Sequence, residues 1–213
     1  MMSEWDSFWS KRTSQERVLN VAGIAFNRMF ARHITRFIGK PRSCGPVLEV
    51  GTGRGVCSAT LRGMGYRCVS LDSSEVAARL AKRQGLDVVL ADGRHLPFRS
   101  GAFEVVFTQG LLEHLNRDEQ VAILKETKGV AGKAVHSVPA KRGVMDFGER
   151  IFNRLGRKWP YPDEKKYERS EFLDLLSTTY PAVRAKGFMR VDWIGYCRQE
   201  APDSDGERSP LKD

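Results

Sequence analysis

Residues 46–56 constrain the fold of this chain more than any other segment. They open with the apolar, β-branched stretch VLEV, which predicts a buried strand. Three glycines follow at alternate positions, and residues 57–61 predict the start of a helix. A strand, a tight glycine turn and a helix form the first half of a nucleotide-binding βαβ unit. The glycines favour a backbone that approaches a ligand closely.

The spacing of the glycines distinguishes this turn from a dinucleotide site. It is G-x-G-x-G, whereas the dinucleotide-binding turn is G-x-G-x-x-G. Glu49 lies two residues before the first glycine. Its charge would repel a pyrophosphate but would suit a ligand with an ammonium or sulfonium charge. A nicotinamide-dependent oxidoreductase is therefore disfavoured.

Residues 47–55, VLEVGTGRG, resemble motif I of the class I S-adenosylmethionine-dependent methyltransferases, (V/L)L(D/E)xGxGxG. The resemblance implies S-adenosylmethionine as the cofactor. It also implies that five residues of this stretch bind it: Glu49, Gly51, Thr52, Gly53 and Gly55.

The second predicted strand, residues 66–72, ends in an acid. Asp72 lies 17 residues beyond Gly55. In this topology an acid at the tip of the second strand can accept hydrogen bonds from both ribose hydroxyls, and we expect Asp72 to do so, with Ser73 beside it. The alternative is a helix cap, because Ser73-Ser74-Glu75 is typical of a helix start.

Two further segments extend the resemblance. Residues 91–106 are similar to the AD(A/G)xxLPFxxxxFDxV signature of small-molecule methyltransferases of the ubiquinone/menaquinone-biosynthesis type, with Glu104 in place of the usual Asp. This similarity implies that Asp92 accepts the exocyclic amine of adenine and that the backbone at Gly93 serves the ring.

The segment after the fourth predicted strand, TQGLLEHL, matches the xxxLEHL of the same group. The match implies that Gln109 and Gly110 lie under the methionine part of the cofactor. His114 is a candidate catalytic general base, because the pKa of histidine suits proton transfer near neutral pH. The alternative is a structural histidine at the start of a helix.

Alternating strands and helices over residues 45–200 predict an α/β fold. The resemblance implies a doubly wound, mostly parallel sheet of seven strands, the Rossmann-like methyltransferase fold. Residues 1–44 predict an N-terminal helical cap, because apolar residues recur there at three- and four-residue spacing. Residues 201–213 predict a disordered tail.

Residues 141–169 interrupt the alternation of strands and helices. Related enzymes carry a lid over the acceptor at this point, and Trp159 and Tyr161 are candidate walls of the acceptor pocket. A solvated surface excursion is the alternative. Near the N-terminus, Trp5, Phe8 and Trp9 form an aromatic cluster that belongs either to the core or to a pocket.

The formal net charge is +9, and the basic excess lies mainly in two segments that flank the nucleotide-binding core. Residues 1–44 contain eight Lys/Arg and three Asp/Glu, and residues 141–169 contain nine and five. Four cations follow one another at helical spacing: Arg28, Arg32, Arg36 and Lys40. This basic face favours an anionic or membrane-resident acceptor. A solvated helix edge is the alternative.

The four cysteines show neither C-x-x-C spacing nor a histidine at metal-ligand distance. We therefore expect free thiols in a reducing cytoplasm, no disulfide and no metal site. No apolar run approaches the roughly 20 residues that span a bilayer, and no secretory signal is visible. The expected location is cytoplasmic, with at most peripheral contact with an anionic membrane.

These observations predict a transferase that moves a methyl group from S-adenosylmethionine to a small-molecule or lipid acceptor. The fourth strand lacks an (N/D)-P-P-(Y/F) motif and the fifth lacks a Pro-Cys pair, which disfavours methylation of nucleic-acid bases at exocyclic nitrogens or at C5. Two alternatives stay open. One is an RNA methyltransferase, for which the basic charge would bind phosphates. The other is a non-catalytic S-adenosylmethionine-binding subunit.

Overall fold

The structure is a computed structural model that describes residues 4–10, 17–144, 149–150, 153–154, 156 and 164–199. Its regular elements, in chain order, are α1 Glu4–Ser10, α2 Arg17–Ile38, β1 Val47–Val50, α3 Val56–Gly63, β2 Cys68–Asp72, α4 Glu75–Lys82, β3 Asp87–Leu90, β4 Phe103–Thr108, a 3₁₀ helix at Leu112–His114, α5 Arg117–Val130, β5 Ala131–Pro139, α6 Arg169–Ser177, β6 Ala182–Phe188 and β7 Asp192–Arg198.

The strands form one seven-stranded sheet in the order β3-β2-β1-β4-β5-β7-β6. Strands β1 to β5 are parallel, and β7 runs antiparallel between β5 and β6. The strand order reverses between β1 and β4, which is the point where open α/β sheets bind ligands at the carboxyl ends of their strands. The predicted doubly wound, mostly parallel sheet is confirmed.

Helices cover both faces of the sheet. On one face, Phe30 and Ile34 of α2 pack with Leu61 of α3 in a core that contains fully buried residues of β1, β4 and β5. On the other face, Leu124 of α5 and Phe172 of α6 pack in a second core. Strands covered on both faces are near-continuous apolar runs, which is why all four residues of β1 are buried.

The junction between α5 and β5 differs from the sequence prediction. The two glycines in residues 129–132, GVAG, favour a loop between a helix that ends at residue 128 and a strand that begins at residue 133. In the structure, α5 continues to Val130 and β5 begins at Ala131. Both side chains are buried, so regular structure removes from water apolar atoms that a loop would expose. No atom lies within 4 Å of a Cβ placed on Gly129 or Gly132, so neither glycine is required there for a close approach.

Two helix starts also differ. The predicted N-terminal helix over residues 5–40 is two helices, α1 and α2. From the sequence, Ser170 is a good N-cap for a last helix over residues 171–179, but this prediction is wrong, because α6 begins at Arg169 behind a capping box of Glu168 and Glu171. In this box, Glu171 Oε2 accepts the backbone N–H of Glu168 at 2.8 Å, which satisfies a donor that would otherwise lack a partner.

The closest packing of α6 on the sheet gives a stability prediction. A Cβ on Gly195 of β7 would overlap Leu176 Cδ1 and lie 3.1 Å from Phe172 Cζ. We expect Gly195→Ala to lower the free energy of unfolding by about 1–3 kcal/mol, because a packed core accepts an added methyl only by shifting. Thermal denaturation should show a Tm about 2–4 °C lower per kcal/mol in a chain of this size.

The matched control is Gly132→Ala in β5, where a Cβ meets no atom within 4 Å. Equal melting temperatures for the two variants would contradict the close packing of α6 on β7.

Candidate functional site

The glycine turn lies between the carboxyl end of β1 and the start of α3. Gly51, Gly53 and Gly55 have φ values of 77°, 53° and 73°, a region that glycine enters without steric cost. The backbone N–H groups of Gly51 and Thr52 both donate to Leu71 O, at 2.9 and 3.1 Å. These bonds fix the turn against the end of β2.

Glu49 lies beneath this turn with 3% of its surface exposed. Its Oε2 accepts hydrogen bonds from Thr52 Oγ1 at 2.8 Å, from Ser58 N at 3.1 Å and from Ser58 Oγ at 2.5 Å. Burial raises the pKa of Glu49 to about 7, and these three donors act against that shift. This oxygen therefore binds both Thr52 in the turn and Ser58 in α3.

Asp72 lies beside the turn at the tip of β2. Its Oδ2 accepts from Gly53 N at 2.8 Å and its Oδ1 accepts from Ser74 N at 2.9 Å. Burial raises the pKa of Asp72, and the backbone donors partly offset it. The N-cap of α4 is Ser74, whereas Ser73 is exposed beside it. Each carboxylate oxygen has two lone pairs, so Asp72 retains acceptor capacity for a ligand.

Asp92 and Gly93 follow β3 on the same edge of the sheet. Asp92 is bound by Arg94, whose Nη2 donates to Oδ2 at 2.7 Å, and Arg94 also pairs with Glu119 at 2.7 Å. The hydrogen bond from Arg94 holds the pKa of Asp92 below its usual range. Sequence reasoning missed Arg94, although a cation two residues after the acid was the available signal.

Gln109 and Gly110 follow β4. Gln109 Nε2 donates to Asn27 Oδ1 at 3.0 Å, and the Cys57 thiol donates to Gln109 Oε1 at 3.0 Å. These bonds join the end of β4 to α2 and α3. Gly110 is exposed and has a φ of 68°. No sequence signal pointed to Asn27 or Cys57, because these contacts join distant parts of the chain.

Helix α1 lies across this edge of the sheet. A Cβ on Gly53 would lie 2.7 Å from Trp9 Cζ2, so the indole covers the turn. The ring centroid of Trp5 is 5.1 Å from that of His114 in an edge-on arrangement. Asp6 Oδ1 accepts from Ser74 Oγ at 2.6 Å. Trp5 and Trp9 of the aromatic cluster therefore face the candidate site.

A cluster of acidic residues lies next to His114, near the carboxyl end of β5, where Asp192 pairs with Pro139. Glu113 is 4% exposed, and its Oε2 has no hydrogen-bond partner in the part of the chain that the structure describes. Burial raises the pKa of Glu113 well above its usual range and raises those of Glu164 and Asp192 to about 7. Sequence reasoning did not connect these acids. The candidate pocket residues Trp159 and Tyr161 lie outside the described residues.

The comparisons with known proteins agree with this geometry. Residues 47–133 match a family model described as a methyltransferase domain, which spans β1 to the start of β5. No curated protein matches the sequence.

Solved structures share the fold. Magnesium protoporphyrin IX methyltransferase from Synechocystis PCC 6803 with bound S-adenosylhomocysteine has a TM-score of 0.66 at 14% identity, covering 92% of this chain and 93% of that one. A methyltransferase from Thermotoga maritima, described as a possible histamine N-methyltransferase, has a TM-score of 0.61 at 14% identity, covering 87% and 97%. One from Archaeoglobus fulgidus has a TM-score of 0.62 at 14% identity, covering 81% and 94%.

The sheet order, the glycine turn and the matched domain together define a class I methyltransferase fold. Residues 47–133 match a methyltransferase domain, and the chain has the fold that S-adenosylmethionine-dependent methyltransferases share. The ubiquinone/menaquinone subgroup stays a prediction. No helix in the described part of the chain is both long enough and apolar enough to cross a membrane.

The buried position of Glu49 gives a pH prediction. The pKa of Glu49 is raised from 4.5 to about 7 in the folded protein. Between these two pH values Glu49 is therefore protonated in the folded state and ionised in the unfolded state. The resulting stability is present below pH 4.5 and is lost as the pH rises through 7. We expect the stability of the wild type relative to Glu49→Gln to fall by about 2–3 kcal/mol between about pH 5 and pH 8.

Urea denaturation across this pH range measures the difference. The exposed Glu75→Gln variant is the control and should track the wild type. A constant difference between wild type and Glu49→Gln would show that Glu49 has the same pKa in both states.

Proposed function

We propose that S-adenosylmethionine lies along the carboxyl edge of β1 to β4, with its ribose on Asp72 and its adenine at Asp92 and Gly93. The methionine part would lie between the glycine turn and Gly110. The observation that carries this proposal is the convergence of a positive-φ glycine turn and two strand-end acids at the reversal of the strand order. The turn is a cradle that a Cβ would fill, since one on Gly51 would lie 3.1 Å from Leu111.

The proposed activity is methyl transfer to a small molecule seated beyond Gly110. The sulfonium supplies an activated methyl group, so the protein has to align the acceptor and exclude water. Trp5 and Trp9 of α1 cover the edge where that alignment would take place. The role of His114 as a general base stays a prediction, and a non-catalytic binding subunit would show the same cofactor binding without methyl transfer.

The first test is calorimetry with S-adenosylhomocysteine. We expect micromolar binding to the wild type and a loss of about tenfold to a hundredfold in Asp72→Ala, because the variant removes charged acceptors from the ribose. NADH should not bind.

The matched control is Asp87→Ala, which removes an exposed acid at the start of β3. Because Asp72 also binds the turn, thermal denaturation of both variants must show a folded protein at the titration temperature. Equal S-adenosylhomocysteine affinity in folded Asp72→Ala would refute the assigned cofactor position.

We also propose that the acceptor is anionic or resides at an anionic membrane. Support comes from the basic face of α2, on which Arg28, Arg32 and Arg36 are exposed. A cleft of about 550 Å³ lies against this face, and Arg28, Arg32 and Arg54 are among the residues that line it. Each exposed cation near an anionic leaflet contributes about 1 kcal/mol of attraction.

Replacement of Arg28, Arg32 and Arg36 together by Gln should therefore reduce co-sedimentation with phosphatidylserine-containing vesicles by at least about tenfold at low salt. The control with the same loss of charge replaces three exposed cations outside α2: Lys82, Arg83 and Arg99. Equal loss in both triple variants would mean that net charge, and not this face, drives binding. Retention of bulk tRNA with a steep salt dependence would favour the RNA methyltransferase instead.

A further inference from the structure

The acidic cluster beside the 3₁₀ helix includes three side chains whose ligand atoms are close enough together to bind one metal ion. Glu113, His114 and Glu164 each present one ligand atom, and these atoms lie within 4.8 Å of one another. We propose that these three residues bind a divalent metal ion at the acceptor side of the cofactor cleft. This departs from the expectation of no metal site, which rested on the cysteines alone.

The buried carboxylate of Glu113 points to a ligand independently of that clustering. Its side chain is 4% exposed, and its Oε2 has no hydrogen-bond partner within the described ranges. Desolvation strongly disfavours a buried carboxylate without a partner, so buried charges are normally paired or coordinate a metal. A cation between Glu113 and Glu164 would provide the missing partner.

The surrounding charge favours a cation as well. Asp192 and Glu149 lie near enough to Glu164 to repel a negative charge on it, and Lys166 lies near enough to attract that charge. Lys166 Nζ forms its ion pair with Glu149. The three acids Glu113, Glu164 and Asp192 are therefore close together, and a divalent ion would relieve their mutual repulsion.

Backbone contacts fix the position of Glu164 relative to Glu113 and His114. Glu113 and His114 are successive residues of the 3₁₀ helix, and the Trp5 ring packs edge-on against the imidazole. Glu164 comes from a different segment, which Lys165 joins to the helix by donating its backbone N–H to Glu113 O at 3.1 Å. Ligands held this way are preorganised and require little rearrangement to bind an ion.

The ligand types select the class of metal. Two carboxylates and one imidazole suit Mn²⁺, Fe²⁺ or Zn²⁺ better than Ca²⁺ or Mg²⁺, which prefer oxygen alone. Three protein ligands leave positions open, as in metal sites that contact a substrate. If the proposed function is correct, the ion would lie where an acceptor approaches the methyl group, and it would favour acceptors with an oxygen or nitrogen that can coordinate it.

The test is calorimetry of the metal-stripped full chain with Mn²⁺, repeated with Zn²⁺. We expect one ion per chain in the wild type and at least about a tenfold loss of affinity in both Glu113→Gln and Glu164→Gln. Glu75→Gln, which alters an exposed carboxylate on α4, should bind as the wild type does. If Glu113→Gln impairs folding because Glu113 is the more buried of the two, Glu164→Gln still tests the proposal.

The proposal would be overturned if neither Mn²⁺ nor Zn²⁺ bound to the wild type. It would also be overturned if a folded Glu164→Gln variant bound the ion with unchanged affinity. Titration of S-adenosylhomocysteine into the same preparations separates this result from the cofactor assignment. Cofactor binding without metal binding would refute the metal site alone. Metal binding without cofactor binding would refute the cofactor position and leave the metal site standing.

Discussion

The hydrogen bonds of Glu49 and Asp72 to the glycine turn are the interactions on which the edge of the sheet depends. Glu49 holds the turn from beneath through Thr52 and Ser58, and Asp72 holds it from the side through Gly53 N. Both carboxylates are largely removed from water, and donors from the turn and from the two helices that follow β1 and β2 partly offset the cost of this burial. An acid next to the glycine turn thus stabilises the turn in addition to any contact with a ligand. The cradle is rigid before a cofactor arrives.

The distribution of charge is more informative than its total. The net charge of +9 favours an anionic partner for the chain as a whole. Acidic residues nevertheless cluster at the carboxyl edge of the sheet near β5. The cations of α2 lie on a helix that covers one face of the sheet, whereas Glu113 and Glu164 lie at the edge. The basic face of α2 can therefore contact an anionic surface, and the acidic cluster can bind a small cation.

Elements with a strong local pattern were predicted closely from sequence. The bounds of β4, Phe103–Thr108, and of β6, Ala182–Phe188, are those that the sequence predicts, because apolar residues or turn signals delimit them. Motif positions also indicated which strand ends meet at the site. Three features could not be predicted, because they depend on tertiary contacts: the continuation of α5 into β5, the bond between Gln109 and Asn27, and the approach of Glu164 to Glu113. The residues of the last two pairs are far apart in the chain, and local pattern carries no information on such pairs. The junction depends instead on the burial of Val130 and Ala131 in the folded core.

The position of α1 has a consequence for the kinetics of ligand entry. A ligand that contacts Gly53 on the face covered by Trp9 has to displace the indole, and a movement of the whole of α1 would also break the hydrogen bond that Asp6 accepts from Ser74. Access is thus governed by an equilibrium between covered and uncovered molecules. The apparent affinity equals the intrinsic affinity multiplied by the uncovered fraction, so each tenfold reduction in that fraction costs about 1.4 kcal/mol of binding. Sequence changes in α1 would then alter how tightly the cofactor binds even where they touch none of its atoms.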